Sequence, residues 1–239
     1  MKAETITACP LDCWDACSVL ARVEEGCVTA VRGNPAHPIT RGFLCAKTMR
    51  YPARAYSPSR ILHPMRRRAS DERLAPEAFE RIGWDEALDL AAAEIRRALA
   101  AGGPQAILHF QGSGSMGLLK KLSQRFFNLL GGVTEPAGGI CFGAGEFAMT
   151  RSFGEQSAHS PEDMVNSRLV LLWGRDPFIS NTHLIPFLKE AKRRGTFLLS
   201  INPRRIDRSG LLDWQIQPLP GADVFLVMAL LRALVGRRW

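Results

Sequence analysis

The sequence predicts an α/β protein in two parts: a small, mostly β domain, followed by a three-layer α/β domain with a largely parallel sheet. Residues 18–23 and 27–32 alternate in polarity around Glu24-Glu-Gly26, which indicates a hairpin. From residue 84 onward, apolar strand patterns alternate with helical patterns, as in parallel sheets that carry helices on their faces. The Arg-, Pro- and Ser-rich stretch 51–74 reads as an extended connection between them. The predicted domains are therefore residues 1–66 and 67–239.

The elements of the second part follow from periodicity and flanking residues. A helix opens at Trp84, with Asp85 as a plausible N-cap, and ends before Gly103. Ala106–Phe110 predicts a strand, and Ser160-Pro-Glu-Asp163 is a strong helix start. The remaining predicted helices are 118–130, one from about 146, 183–194 and 222–235, and the remaining strands are 168–173, 196–201 and 214–217.

Composition limits the classes of function. With 239 residues, 46% of them hydrophobic, the chain is large enough for a substantial core. No apolar run approaches the length of a membrane span, and the N-terminal residues lack the apolar segment of a secretory signal. The cysteines are clustered rather than spread, which favours metal binding in a reducing compartment over a disulfide framework. We therefore expect a cytoplasmic protein.

The positive charge is uneven along the chain. The formal net charge is +8, and residues 1–70 hold eleven Lys and Arg against five Asp and Glu. Such a module suits an anionic cofactor or an acidic partner protein. The arginines are scattered and are not interleaved with aromatic residues as a base-stacking surface requires, so nucleic acid is not expected as a partner.

The cysteine pattern predicts a metal centre. Cys9, Cys13 and Cys17 are spaced four residues apart, and Cys45 returns after the predicted hairpin. Thiolates are soft ligands, so the candidate occupants are an iron–sulfur cluster or zinc. Structural zinc usually takes close Cys-x2-Cys pairs, which are missing here, so the pattern favours the cluster; zinc and plain buried or disulfide cysteines stay as alternatives. Cys27 reads as an ordinary strand residue.

Several glycine-containing loops follow the predicted strands, at the edge where open parallel sheets bind ligands. Each combines glycine, which admits close approach of the backbone, with polar or charged residues. This edge suits a large ligand that carries phosphates. The loops are 111–117, 173–177, 201–205 and 218–223.

One of these loops also fits a nicotinamide-dinucleotide fingerprint. Gly112, Gly114 and Gly117 match G-x-G-x-x-G, and Glu135 follows eighteen residues after the last glycine. The preceding strand lacks the long Val/Ile run of that motif, and this loop is one of several that face the ligand edge. A nicotinamide-dependent dehydrogenase is therefore an alternative, and a plain helix-packing loop is another.

Taken together, the motifs resemble the N-terminal part of the molybdopterin-dependent oxidoreductases of the dimethyl sulfoxide reductase family. The resemblance runs from Cys9 to the end of the chain, and the order and spacing of its motifs make it specific. It implies a 4Fe–4S cluster and a molybdenum or tungsten ion bound by two molybdopterin guanine dinucleotides. The motifs are the cysteine run with Leu44-Cys-Ala-Lys47, Gly83-Trp-Asp-Glu-Ala-Leu88, the loop 112–117, Gly139-Ile-Cys141, Trp173-Gly-Arg-Asp-Pro177, Ile201-Asn-Pro-Arg204 and Pro220-Gly-Ala-Asp223.

The resemblance implies a role for each matching residue. The four cysteines named above would ligate the cluster, and Lys47 would lie between cluster and pterin as a fixed cation that serves electron transfer. Asn202 and Arg204 would hold ribose and phosphate, and Asp223 would accept from the N–H groups of the guanine. Its other implied cofactor contacts are Gly112, Ser113, Gly114, Gly174, Asp176 and Gly221.

Cys141 is the reactive candidate, because it stands where the family's metal takes a Ser, Cys or selenocysteine ligand. A soft thiolate suits molybdenum or tungsten. Phe142 follows it where formate-oxidising members place histidine, which argues against formate as substrate, and Asp176 stands where the family usually has asparagine.

The resemblance also implies that this chain is shorter than a whole family member and that other proteins bind it. Family members are much longer, so we expect a fragment, a split-gene product or one half of a two-chain enzyme, with an incomplete α/β domain. The expected function is two-electron redox on a small-molecule substrate, of the oxygen-atom or hydride type, with electrons passing through the cluster. Expected partners are a second chain that completes the site and an electron-transfer protein. A non-catalytic iron–sulfur or zinc module that binds a partner is the alternative, and some family members catalyse hydration instead.

Overall fold

The computed structural model describes residues 2–11, 13–68, 78–112, 118–207 and 209–237. The strands are β1 (Lys2–Ala8), β2 (Ser18–Glu24), β3 (Cys27–Gly33), β4 (Met65–Arg67), β5 (Phe79–Arg81), β6 (Leu169–Trp173), β7 (Phe197–Ile201) and β8 (Trp214–Ile216). The α-helices are α1 (Ala46–Met49), α2 (Tyr51–Ala55), α3 (Trp84–Gly102), α4 (Lys121–Leu129), α5 (Gly143–Phe153), α6 (Leu184–Arg193) and α7 (Asp223–Gly236). Short 3₁₀ helices lie at Pro104–Ala106, Leu118–Lys120 and Pro161–Asn166.

The chain divides into two compact units. The first contains residues 1–9, 13–49 and 157–239, and the second contains residues 10–12 and 50–156. The first unit therefore joins the N-terminal strands to the C-terminal α/β segment. The predicted domain boundary at residue 66 stays a prediction.

The N-terminal sheet of the first unit is antiparallel, in the order β1-β2-β3. The predicted hairpin is confirmed: β2 pairs with β3, and Glu25 and Gly26 turn the chain with positive φ angles of 52° and 80°. The register shifts between Arg22 and Val23, which marks a bulge. This sheet delivers the end of β1 and the end of β3 to the same region.

The second sheet of the first unit is parallel, in the order β6-β7-β8, which confirms the predicted α/β class. Leu172 and Leu198 are buried on one face with Phe187 and Leu188 of α6, and they form the core of this unit. On the other face Leu169, Leu171 and Phe197 are 54%, 42% and 45% exposed. Among the described residues, α6 thus covers one face of the sheet, and the start of β6 and β7 is exposed on the other, where only Ile201 at the end of β7 is buried.

The second unit departs from the sequence prediction in three places. Ala106–Phe110 is not a strand; Pro104 starts a 3₁₀ turn, and only Leu108 forms a bridge, to Thr134. The stretch 51–74 is not wholly extended, because Pro52 lies in the first turn of α2, where its missing N–H is tolerated, and β4 pairs with β5. The N-cap of α3 is Gly83 rather than Asp85.

Within the part of the chain that the structure describes, no helix combines the length and the apolar character needed to cross a bilayer.

Candidate functional site

The first three cysteines lie on one loop of the first unit, between β1 and β2. The loop is closed by a backbone hydrogen bond in which Cys9 N donates to Cys17 O at 2.9 Å. Ala16 N donates to Cys13 O at 3.3 Å, and Ala16 takes a positive φ of 41° to make this turn. Cys17 is 3% exposed, whereas Cys9 and Cys13 are partly buried. The loop therefore presents two partly accessible thiols around a buried one.

Cys45, the fourth cysteine, lies near this loop because the end of β3 packs against the segment just before Cys45. Gly33 lies so close to Gly42 that an added Cβ would come within 2.4 Å of the Gly42 carbonyl oxygen. Three residues later Cys45 leads into α1. The buried Thr48 hydroxyl then contacts Cys9 Sγ at 3.2 Å and Cys45 Sγ at 3.6 Å. The N-terminal loop and Cys45 thus share one hydroxyl neighbour.

The thiols differ in how readily they ionise. Burial and the carboxylate of Asp15 raise the pKa of Cys13, although a backbone hydrogen bond at Asp15 opposes this. Burial also acts to raise the pKa of Cys45, but hydrogen bonds from the backbone N–H groups of Thr48 and Lys47 and from the Thr48 hydroxyl lower it overall. Because the thiolate is the metal-binding form, the start of α1 prepares Cys45 for ligation.

The spacing of the donors bears on which metal they would hold. Among the residues that the structure describes, no three His, Cys, Asp or Glu side chains lie close enough to share one metal ion. Four thiolates around a single zinc would lie about 3.8 Å apart, because Zn–S bonds are about 2.3 Å long and tetrahedral. A four-iron cluster binds each thiolate at a different iron and so needs wider separation. The ground for preferring the cluster therefore remains the spacing of the four cysteines in the sequence.

A buried polar network next to the thiols was not predicted from the sequence. His183, from the loop before α6, is only 3% exposed, and its Nδ1 lies 2.7 Å from Asp15 Oδ2. Its Nε2 lies 3.7 Å from Cys17 Sγ and 3.1 Å from Phe43 O. Asp15 Oδ2 also accepts from Cys13 Sγ at 3.3 Å. The sequence signal that could have indicated this network is Asp15, an aspartate between the candidate ligands Cys13 and Cys17.

The same aspartate is held from its other side. With the amide of Asn181 oriented to suit its neighbours, its NH₂ group donates to both Asp15 oxygens at 2.9 and 3.1 Å, and its oxygen accepts from Arg175 Nη2 at 2.8 Å. Burial acts to raise the pKa of Asp15, but the hydrogen bonds from His183 and Cys13 lower it. The hydrogen bonds to Asp15 and Cys17 raise the pKa of His183 to about 10.

Lys47 lies in α1, two residues after Cys45, and its side chain is exposed. Its ammonium donates to the carbonyl oxygen of Ile179 at 3.4 Å. This places a cation between the cysteine site and the loop that follows β6.

The carboxyl ends of β6 and β7 bring two predicted cofactor loops together. Gly174 follows β6 with a positive φ of 61°, and its N–H donates to Ile201 O at 2.9 Å. Asp176 Oδ2 pairs with Arg204 Nη2 at 3.0 Å, and its Oδ1 accepts from the N–H of Phe178. Asn202 is 8% exposed, and its side-chain oxygen accepts from the N–H of Arg204. These side chains form one polar cluster at the strand ends.

Asp223 joins this edge from the loop after β8. Trp173 Nε1, at the end of β6, donates to Asp223 Oδ1 at 2.6 Å. Asp223 is the first residue of α7, whose N-cap is Ala222 without a side-chain capping bond. The carboxylate is therefore held by the sheet rather than used as a helix cap. Gly221 precedes it with a positive φ of 83°.

The other predicted residues belong to the second unit. Cys141 is exposed in the turn before α5, where Gly143 N donates to Gly139 O and the Phe142 ring packs on Gly145. Gly112 follows the Leu108 bridge. Ser113, Gly114 and the rest of the glycine motif to Gly117 lie outside the described residues. Because residues 106–110 form no full strand, the context that the nicotinamide fingerprint requires is missing.

Comparison with protein families gives two matches that together span nearly the whole chain. Residues 3–57 match the molybdopterin oxidoreductase Fe4S4 domain, and residues 60–235 match the molybdopterin oxidoreductase domain.

Individual relatives agree with these matches. The chain is 39% identical over 229 residues to the probable oxidoreductase YyaE of Bacillus subtilis, covering 96% of this chain and 33% of that protein. It is 31% identical to a putative catalytic chain of dimethyl sulfoxide reductase from Halobacterium salinarum, covering 95% of this chain and 28% of that protein. The chain therefore spans about a third of the length of these relatives.

Among solved structures, acetylene hydratase from Pelobacter acetylenicus matches with a TM-score of 0.63 and 26% identity. The match covers 87% of this chain and 29% of that one.

Proposed function

Because the chain belongs to the molybdopterin oxidoreductases of the dimethyl sulfoxide reductase family, we propose that it forms the cluster-binding end and part of the dinucleotide-binding sheet of a two-electron oxidoreductase. The observation that carries the proposal is the meeting of Cys45 with the N-terminal cysteine loop at the Thr48 hydroxyl. A chain segment of this kind would hold one cofactor and orient part of another.

In this proposal the cluster ligands are Cys9, Cys13, Cys17 and Cys45, one thiolate for each iron. When bound, the molybdenum or tungsten centre supplies two-electron chemistry and the cluster relays single electrons. Lys47 places a fixed positive charge next to Cys45, where it would stabilise an added electron.

The rim of the second sheet would hold a guanine dinucleotide of the pterin cofactor. Asn202 and Arg204 offer an amide and a guanidinium to ribose and phosphate, and Asp176 orients that guanidinium. Asp223, oriented by Trp173, would accept from the guanine N–H groups. Gly174 and Gly221 admit the ligand close to the backbone. Gly112, Ser113 and Gly114 stay proposed as further cofactor contacts on the resemblance of their motif alone.

Cys141 is proposed as the protein ligand of molybdenum or tungsten, since it is an exposed thiol in a glycine-rich turn. We further propose a small-molecule substrate, an electron-transfer protein as redox partner, and a polypeptide that completes the cofactor site. All six cysteines are free, which suits a reducing compartment such as the cytoplasm.

The deciding experiment is elemental analysis of the anaerobically purified chain, alone and together with any adjacently encoded chain, for iron, sulfide, zinc, molybdenum and tungsten. We expect iron and sulfide in equal amounts. Cys45→Ala should lose most of the iron, because the cluster loses the ligand that comes from a separate segment. Cys27→Ala is the matched control, since Cys27 is an exposed strand cysteine. A colourless, zinc-loaded protein would overturn the proposal.

A second candidate is hydration at the same centre, which the similarity to an acetylene hydratase favours. Hydration transfers no net electrons, so turnover of the completed enzyme would proceed without any electron acceptor. A strict need for an acceptor or donor would select the redox function.

A further inference from the structure

We infer that His183 is a positioning residue for Cys17 which, by donating an N–H to the cysteine sulfur, raises the reduction potential of the bound cluster. This inference rests on the proposed cluster function. It adds a residue that lies 166 positions away from Cys17 in the chain and that matches none of the family motifs recognised in the sequence.

The His183 side chain is buried, and both ring nitrogens and one ring face have close neighbours. Its ring is 3% exposed, and the Phe43 ring packs against it with centroids 4.8 Å apart. Nδ1 lies 2.7 Å from Asp15 Oδ2, whereas Nε2 lies 3.1 Å from Phe43 O and 3.7 Å from Cys17 Sγ. The ring therefore has one fixed orientation, with Nε2 directed at the sulfur and the carbonyl.

The proton positions follow from these neighbours. A backbone carbonyl only accepts hydrogen bonds, so Nε2 must carry a proton to satisfy Phe43 O. Nδ1 lies on the opposite side of the ring, against Asp15 Oδ2, so the Nε2 proton is free to serve Phe43 O and Cys17 Sγ. His183 thus presents the N–H of Nε2 to both Phe43 O and Cys17 Sγ.

This arrangement has a definite electrostatic effect. Hydrogen bonds to the ligand sulfurs are one of the levers that set the potential of iron–sulfur clusters. Reduction adds negative charge to cluster and thiolates, and an N–H dipole at a buried sulfur stabilises that charge more than it would in water. Asp15 fixes the orientation of the His183 ring, and Asn181, which is itself held by Arg175, fixes Asp15. The Nε2–H donor is therefore preorganised.

The test is a redox titration of the full chain with its cluster, monitored by electron paramagnetic resonance. Three variants are compared with the unsubstituted chain. His183→Leu removes the donor, His183→Gln keeps an amide N–H within reach of the sulfur, and His63→Leu replaces an exposed histidine as the matched control. Iron and sulfide content is measured for each.

We expect all four proteins to hold the cluster. The midpoint potential should fall in His183→Leu, fall less in His183→Gln and stay unchanged in His63→Leu.

Two outcomes would overturn the inference but leave the proposed function intact. One is an unchanged potential in His183→Leu with full iron content. The other is loss of the cluster from both His183 variants, which would make the residue a purely structural support. Absence of a cluster from the unsubstituted chain would overturn the proposed function itself, and this inference with it.

Discussion

At the scale of single residues, identical cysteines acquire different properties from their neighbours. Cys17 is buried beside His183, whereas Cys45 at the start of α1 has a lowered pKa because N–H groups and a hydroxyl point at it. Cys13 has a raised pKa because it is partly buried next to Asp15. The spacing of the cysteines in the sequence gives none of these differences, since each comes from a contact made in the folded chain.

Cys141 gives a prediction at this scale. Cys141→Ala should lower the molybdenum or tungsten content relative to iron, because it removes the proposed protein ligand of that metal but none of the cluster ligands. Elemental analysis of the protein, purified together with any adjacently encoded chain, measures the ratio. Cys27→Ala, another exposed cysteine, is the control. An unchanged ratio in Cys141→Ala would count against the ligand assignment.

At the scale of elements, the site depends on the hairpin and on the packing contact that together bring Cys45 near the N-terminal cysteine loop. The hairpin of β2 and β3 separates Cys17 from Cys45 in sequence, and the contact of Gly33 with Gly42 brings the chain back. This close approach leaves no room for a side chain at Gly33, so it is a packing requirement and not a turn requirement.

Gly33→Ala should therefore displace the segment that holds Cys45 near the other three cysteines. The added methyl group would meet the Gly42 carbonyl oxygen at 2.4 Å, so the backbone must shift. Such overpacking typically costs about 1–3 kcal/mol of unfolding free energy. We expect less retained iron and a lower denaturation midpoint.

Gly83→Ala is the matched control for this change, because a Cβ there meets nothing within 4 Å and its φ of −77° suits any residue. If Gly33→Ala retained iron and stability as well as Gly83→Ala does, the proposed closing contact would be unimportant.

The connection between β7 and β8 gives a prediction about pH. Asp207 accepts from the N–H groups of Ser209, Leu211 and Leu212. Burial acts to raise its pKa, but these backbone hydrogen bonds lower it below the ordinary value. A group with a lowered pKa stabilises the fold at pH values above its unfolded pKa, about 3.9, and this stabilisation disappears as pH falls through the folded value.

Asp207→Ala should accordingly lower the unfolding free energy at neutral pH, by about 1.5–3 kcal/mol for hydrogen bonds to a charged group. The difference from the unsubstituted chain should shrink as the pH falls below about 4. Chemical denaturation at several pH values measures this. A difference that is constant across the range would show that the ionised carboxylate is not the cause.

At the scale of the whole molecule, the chain leaves much apolar surface uncovered. The clearest case is α7, which has only two charged residues, Asp223 and Arg232, and no buried residue. Monomeric proteins rarely expose contiguous patches of this kind, so such a surface indicates a contact with another polypeptide. The large exposed residues of α7 are Val224, Phe225, Val227, Met228, Leu230, Leu231, Leu234 and Val235.

The isolated chain should therefore self-associate through α7. Replacing Met228 and Leu231 by lysine should reduce this association, since lysines on an apolar face oppose packing between copies. Sedimentation velocity measures the size distribution, and the double replacement Arg66→Ala and Arg68→Ala, at exposed residues in and directly after β4, serves as a control for altered surface charge. A monodisperse monomer before any substitution would contradict the prediction.

Much of the fold was predictable because local patterns determine it. The hairpin, the strands β6, β7 and β8 and the helices α3, α6 and α7 follow from periodicity and turn residues. The predicted strand at residues 106–110 was wrong, because a short apolar run needs a partner strand and finds only Thr134. The helix at residues 51–55 was not predicted, because proline usually breaks a helix, although Pro52 is tolerated in a first turn.

The sequence by itself determined the family, the number of available thiols and the order of the ligand-facing loops, because these depend only on residue type and spacing. Tertiary structure alone decided that His183 and Asp15 stand beside Cys17, that Trp173 holds Asp223, and that Thr48 joins Cys9 to Cys45. These contacts connect residues far apart in the chain. No local pattern encodes them, because each forms only when separate segments of the chain pack against one another.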